Sequence, residues 1–198
     1  MEAGMRVLGI PGSLRRGSYN RMLLLNVLPR LPEGVEWGIA DISGIPLLNE
    51  DELDHPPKRV VELKGAIGAA DLVVISTPEY NHSIPGALKN AIDWISRPLK
   101  GNPFEWKPVA IMSASTGMLG GIRAQEHLRQ VLMSLGAIVV ARPEVVVGSA
   151  ESKFDREGRL KDPAAIRFAD ELLENALRLA KALRAGLEVE ASADVYGK

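Results

Sequence analysis

The sequence predicts an α/β domain in which a parallel sheet is covered on both faces by helices. Three observations carry that expectation: short apolar runs without strict polar alternation, helical-period segments between them, and Gly-, Ser- and Pro-rich stretches where the two meet. At 198 residues, 46% hydrophobic and 25% charged, the chain suits one substantial core and would be cramped as two domains. Repeats and low-complexity tracts are absent.

Met5 to Ile10 forms the first apolar run and ends in Pro11-Gly12-Ser13, as a buried strand feeding a loop should. Asn20 is a candidate cap for a helix from about Arg21 to Leu31, with Leu24, Leu25 and Leu28 turned inward and Pro29 and Pro32 ending it. Val35 to Ala40 reads as a second, weaker strand. Residues 42–57 are loop-like, and a helix from Lys58 to Ala70 follows with Val60, Val61, Leu63 and Ile67 on its packed face. Leu72-Val73-Val74-Ile75 is the clearest strand, because four consecutive apolar residues, three of them β-branched, fit burial on both faces.

Pro85 fits the first turn of a third helix, along which Ile84, Leu88, Ala91, Ile92 and Ile95 recur at helical spacing. Val109 to Met112 is the fourth strand. The next helix places Ala124, Leu128, Val131, Leu132 and Leu135 on one side and stops at Gly136. Ile138 to Val147 reads as a fifth strand interrupted by Pro143, hence an edge or a bend. Asp162-Pro163 announces the last helix, with Ile166, Ala169, Leu173, Ala176, Leu177 and Ala180 inward and Arg167, Asp170, Glu171, Glu174 and Arg178 toward water. The expected domain covers residues 1–185, and 186–198 is read as a C-terminal tail.

The 24 Lys and Arg residues against 25 Asp and Glu give a net charge of -1, so no global basic field is available to hold nucleic acid or an anionic membrane. Any anion site must be local. With no cysteine, a disulfide scaffold, a cysteine-ligated metal and thiol catalysis are excluded, and redox chemistry requires a bound cofactor. The apolar run from Val7 to Ile10 is too short for a signal segment, and no stretch approaches the roughly 18 apolar residues of a membrane span. A cytoplasmic protein is expected.

In a parallel sheet of this kind, ligands bind beyond the carboxyl ends of the strands, which directs attention to the loops after strands one, three and four. The first, Gly12 to Asn20, leads into a helix start where free backbone N–H groups favour an anion, and Ser13, Ser18, Asn20 and Arg15 or Arg16 add donors suited to a terminal phosphate. It is no P-loop: Gly12 and Gly17 have the spacing, but the lysine is missing. Nor does it match G-x-G-x-x-G, since Gly9 and Gly12 are too far apart. The plainer reading is an ordinary turn with solvated arginines.

The second loop, Pro78 to Ser83, offers Tyr80 to lie against an aromatic ligand. His82, His55 and His127 stand at no metal-ligand spacing, and His82 is read as non-catalytic. The third loop, Ser113 to Gly121, allows close backbone approach; simple helix capping by Ser115 or Thr116 is its plainer reading. No serine sits in a G-x-S-x-G elbow. Trp94, Pro98, Phe104 and Trp106 fit either an interface or pocket wall, or ordinary packing.

Together, GSLRRGSYN at 12–20, PEYNHSIPGALKNAIDW at 78–94 and SASTGMLGGIRAQEHLRQVL at 113–132 resemble the NADPH-dependent FMN reductase family, which includes bacterial enzymes described as quinone, azo-dye or chromate reductases. The resemblance covers about residues 5 to 180. It implies a flavodoxin-like three-layer sandwich with a five-stranded parallel sheet in the order 2-1-3-4-5, FMN at the switch point, and a homodimer or homotetramer. It maps the phosphate site onto Ser13, Arg15, Ser18 and Asn20, the flavin ring contacts onto Pro78, Glu79, Tyr80 and Asn81, and the pyrimidine border onto Ser115, Gly117, Gly120 and Gly121. The implied reaction is ping-pong, with hydride passing from NADPH or NADH to flavin N5 and on to a quinone-like or other small acceptor. No catalytic side chain and no metal are implied. A flavin-binding electron carrier without its own NAD(P)H oxidation and a non-redox phosphate-binding module are the alternatives.

Overall fold

The computed structural model describes residues 4–98 and 100–193, with side chains through residue 187. Its strands are β1 (Arg6–Pro11), β2 (Glu36–Ile39), β3 (Leu72–Thr77), β4 (Pro108–Ala114), β5 (Ile138–Val139) and β6 (Val145–Val147), all parallel, in the order β2-β1-β3-β4-β5 with β6 also paired to β4. The expected order 2-1-3-4-5 is therefore present, and the fold is flavodoxin-like. β5 pairs with the start of β4 and β6 with its end, and the cis peptide bond Arg142-Pro143 lies between them. The interrupted fifth strand of the sequence is these two pieces along one sheet edge.

β3 and β4 are buried throughout, and their side chains alternate between two cores. Leu72, Val74, Ala110 and Met112 face one side, where Leu23, Leu24 and Leu28 meet Leu172, Leu173 and Leu177. Val73, Ile75, Val109 and Ile111 face the other, against Leu63, Ile67, Leu88, Ile92, Leu128 and Leu132. The first set comes from α1 (Tyr19–Val27), its short 3-10 extension Leu28–Arg30, and α6 (Pro163–Ala193); the second comes from α2 (Lys58–Ala69), α3 (Gly86–Ile95) and α4 (Ile122–Ser134). A short α5 (Ala150–Lys153) completes the chain order. Truncating a fully buried side chain at the sheet centre, such as Ile75→Ala, costs about 2–5 kcal/mol because the cavity relaxes only in part.

Several local expectations are corrected. The cap of α1 is Ser18, whose Oγ accepts from the Arg21 amide at 3.3 Å, and Asn20 lies inside the first turn. The helix consequently faces its core with Leu23 and Leu24, while Leu25 is 44% exposed. Val61 of α2 also points outward, at 54% exposure. Trp94 and Phe104 are buried in ordinary packing, the Trp94 indole donating to the Pro46 carbonyl at 2.9 Å, whereas Trp106 is exposed. α4 ends as expected, with Gly136 left-handed at φ 75°. Asp162 caps α6 by accepting from the amides of Ala164 and Ala165, and the helix runs without a break beyond residue 185 to Ala193.

Candidate functional site

Because β1, β3 and β4 are adjacent and parallel, the loops following them meet at one edge of the sheet. Every sequence-predicted site residue lies on these loops or in the first turn of α1. The first loop begins at Gly12, whose amide donates to the Ser76 carbonyl at 2.8 Å. A Cβ there would stand 3.2 Å from the Thr77 Cα and 3.0 Å from a Leu88 methyl, so the closeness of β1 to β3 requires glycine. Beyond it, the amides of Leu14, Arg16 and Gly17 donate to no protein atom among the described residues. Ser13 Oγ accepts from the Arg15 amide at 3.3 Å, and Ser18 Oγ, engaged as an acceptor, retains its proton for donation. The Arg15 guanidinium donates to the Gly17 carbonyl at 2.7 and 3.1 Å and lies 5.3 Å over the Tyr19 ring, which in turn packs on Phe154. A run of open amides, two hydroxyls and a placed guanidinium is a phosphate-binding donor set.

Asn20 behaves differently from its expected role. It is 2% exposed, and its Nδ2 donates to the Ala114 carbonyl at 2.8 Å while its Oδ1 accepts from the Ala114 amide and the Ser76 hydroxyl, each at 2.9 Å. The side chain is thus a latch that ties α1 to the carboxyl ends of β3 and β4.

In the second loop, Tyr80 and Ser83 exchange backbone hydrogen bonds at 2.9 and 3.0 Å around Asn81 and His82, both with positive φ (50° and 63°), the signature of a tight primed turn. The turn presents Tyr80 to solvent at 51% exposure, and Asn81 is exposed beside it. Pro78 is buried, its carbonyl accepting from Thr77 Oγ1. Glu79 turns away from the tip: its carboxylate accepts from the Arg123 amide at 3.1 Å and the Arg123 guanidinium at 3.4 Å. An anion at the start of α4 is the favourable placement for a helix dipole, and it binds the second loop to the third. Ser83 Oγ adds a second tie, 2.9 Å from His127 Nδ1 on α4.

The third loop curls tightly. Ser115 Oγ accepts from the Gly117 amide, Ser115 N–H donates to the Val147 carbonyl, and Gly120 and Gly121 both have positive φ. A Cβ on Gly120 would lie 2.5 Å from a Val146 methyl and 2.8 Å from the Gly148 nitrogen. Beneath it, Gln125 is fully buried, with Nε2 donating to Ser113 Oγ and the Val145 carbonyl and Oε1 without a hydrogen-bond partner among the described residues. Leu14, Tyr80, Met118 and Leu119, between 51% and 88% exposed, are apolar side chains that the three loops present to solvent.

A shallow cavity of about 320 Å³ adjoins the first loop on the β2 side, lined by Ser13, Arg15, Arg16, Arg21, Asp41 and Ser43 among others. Asp41 is held below the usual carboxylate range by hydrogen bonds from the Ser43 amide and hydroxyl, with the charges of Arg59 and Arg21 adding to the effect. A larger cavity of about 530 Å³ lies between Leu31, Pro32 and the Leu173 and Leu177 face of α6, and its lining includes no loop residue of the site. Among the described residues, no group of three or more His, Asp or Glu is placed to hold a metal, and no helix is long and apolar enough to cross a membrane.

Residues 5–152 match the family model for NADPH-dependent FMN reductase. The chain belongs to this family. It is 48% identical over 176 residues to an NAD(P)H-dependent FMN reductase of Pseudomonas aeruginosa, covering 88% of this chain and 94% of that one. It is 44% identical over 159 residues to a quinone reductase of Escherichia coli, covering 78% and 84%. Among solved structures, FerB, a flavoenzyme NAD(P)H:(acceptor) oxidoreductase from Paracoccus denitrificans, superposes with a TM-score of 0.80 at 32% identity over 90% of this chain and 98% of its own. The protein is thus an oxidoreductase of the FMN-dependent, NAD(P)H-oxidising type. Sequence reading named Arg16 only as an alternative to Arg15 and missed Arg123, Tyr19, Arg21 and Asp41; a charge opposite Glu79 was the available signal for Arg123.

Proposed function

We propose that the three loops hold FMN across the carboxyl edge of β1, β3 and β4, and that the enzyme passes electrons from NAD(P)H to a quinone-like or other small acceptor. The observation that carries this is that the open amides of Leu14, Arg16 and Gly17 and the exposed apolar side chains of Leu14, Tyr80, Met118 and Leu119 stand on loops that follow adjacent parallel strands. A phosphate fits the first and an isoalloxazine ring the second. When bound, FMN supplies hydride acceptance at N5 and delivery to the acceptor in a ping-pong sequence.

The chain's own residues bind and orient. Ser13, Arg15 and Ser18 hold the phosphate, and Asn20 fixes the strand ends beneath it. Pro78, Tyr80 and Asn81 border the ring, with Tyr80 the stacking surface. Glu79 sets the spacing of the second and third loops through Arg123. Ser115, Gly117, Gly120 and Gly121 bring the backbone to the pyrimidine side, where N–H dipoles stabilise negative charge on reduction. No side-chain acid, nucleophile or metal is required. The quinone reductase relatives support the acceptor class. The FMN domain is read as residues 1–185 with 186–198 outside it, in a cytoplasmic homodimer or homotetramer.

Absorbance titration with FMN, followed by anaerobic NADPH or NADH in the same cuvette, tests the reading. Saturable binding and bleaching of the flavin band are expected, with quinone restoring the colour. Binding without bleaching would replace the reductase with a carrier, and no binding would refute the site.

A further inference from the structure

The third loop is joined to the first by a segment with no part in the FMN site as described. After β6, the Val147 carbonyl accepts from the Ser115 amide at 3.0 Å, the Ser149 amide donates to the Gly117 carbonyl at 3.1 Å, and the Ala150 amide donates to the Ser115 carbonyl at 2.9 Å. Gly148 admits no side chain here, because a Cβ would stand 2.2 Å from the Met118 carbonyl oxygen. α5 then carries the chain to Phe154, which is 7% exposed and sets its ring 5.5 Å from that of Tyr19. The segment is also fixed to α1. Phe154 bridges to Leu160, and the Asn26 side chain accepts from the Leu160 amide at 3.0 Å and donates to the Gly158 carbonyl at 2.8 Å.

The Arg15 guanidinium lies over the other side of this stack, 5.3 Å from the Tyr19 ring centroid. Its Nε and Nη2 donate to the Gly17 carbonyl, and its Nη1 donates to no protein atom among the described residues. A guanidinium held by a carbonyl on one edge and by an aromatic ring against its carbon has little rotamer freedom left to lose, so its remaining N–H groups are aimed before a ligand arrives. The Tyr19 hydroxyl forms no hydrogen bond among the described residues, so the ring is the part in use. Resting on the FMN reading above, we infer that Tyr19 and Phe154 are positioning residues for the cofactor phosphate. They hold Arg15 in its binding orientation, and the segment 147–160 ties that orientation to the third loop. The stack acts at the phosphate end alone, so it governs the preference for FMN over riboflavin, which has the same ring system without the phosphate.

Fluorescence titration of the FMN-free protein with FMN and with riboflavin tests this in the wild type, Tyr19→Leu, Tyr19→Phe and Phe154→Leu. Leucine keeps apolar bulk at both positions, and Tyr19→Phe keeps the ring. The wild type should bind FMN at least about tenfold more tightly than riboflavin. Tyr19→Leu should lower that ratio about two- to fivefold, the range of a cation–π contact, through FMN alone, with riboflavin affinity unchanged. Tyr19→Phe should keep the wild-type ratio, and Phe154→Leu should move it in the same direction as Tyr19→Leu. In an Arg15→Ala background Tyr19→Leu should have no further effect, because the ring acts through the guanidinium. An unchanged ratio in either leucine variant, an equal weakening of both flavins, or the same loss in the Arg15→Ala background overturns the inference and leaves the phosphate site standing. If the wild type itself binds FMN and riboflavin equally, the phosphate reading has failed and the positioning role falls with it.

Discussion

Replacing Asn20 with alanine removes a buried latch, and the structure sets the size of the loss. Three buried polar groups lose their partner together: the Ala114 amide, the Ala114 carbonyl and the Ser76 hydroxyl, all within 2.8–2.9 Å of the Asn20 amide group. A buried polar group left unsatisfied costs about 1–3 kcal/mol, and water entering the vacated volume lowers the sum, so about 3 kcal/mol is expected in total. In a domain of this size that corresponds to a Tm lower by about 6–12 °C. The assay is thermal and urea unfolding of the FMN-free protein, which isolates stability from ligand linkage. Asn20→Asp should fail similarly, because a carboxylate cannot donate to the Ala114 carbonyl. If Asn20→Ala unfolds like the wild type while losing FMN affinity, Asn20 is a direct phosphate ligand and the latch account is wrong.

Other outcomes follow from the same geometry. Arg15→Ala should weaken FMN binding by about 1.5–3 kcal/mol in a fluorescence titration, and unchanged affinity would remove Arg15 from the phosphate site. Tyr80→Ala should alter the flavin spectrum or acceptor kinetics with little change in unfolding, since the ring is half exposed on a turn tip. Gly120→Ala combines φ 59° with a Cβ 2.5 Å from Val146, so a loss of at least about 1–3 kcal/mol is expected in denaturant unfolding. Asp155 is pulled down from 3.8 to about 2 by the Arg159 amide first, then by the Arg159 and Lys161 side chains. A lowered carboxylate pKa stabilises the fold above the unfolded value and is lost as pH falls through the folded one, so this contribution should vanish between pH 3.8 and about 2. Carbon-detected NMR titration of the Asp155 carboxyl checks it, and a midpoint near 3.8 would contradict the network.

The parts of the fold that were readable from sequence are those governed by burial on both sides. Leu72 to Ile75 cannot be placed in water on either face, so β3 was unambiguous, and Gly136 and Asp162 announced helix ends by local chemistry. Helix faces were less readable. Ser18 and Asn20 are both good caps, and choosing the second shifts the start of α1 by two residues and rotates the inward face from Leu23 to Leu25. The site loops were legible through their composition, because Gly, Ser and Arg in such density mark anion-binding turns. What their side chains do was not, since Asn20 and Glu79 make contacts 94 and 44 residues away that no local pattern encodes.

The central claim, that three loops at one sheet edge hold FMN, is tested most directly by hydrogen exchange with mass spectrometry, with and without the cofactor. The account predicts protection on binding in residues 13–20, 78–83 and 115–121 together, strongest at the open amides of Leu14, Arg16 and Gly17. Protection confined to the groove between Leu31, Pro32 and α6, with those three segments unchanged, would contradict it.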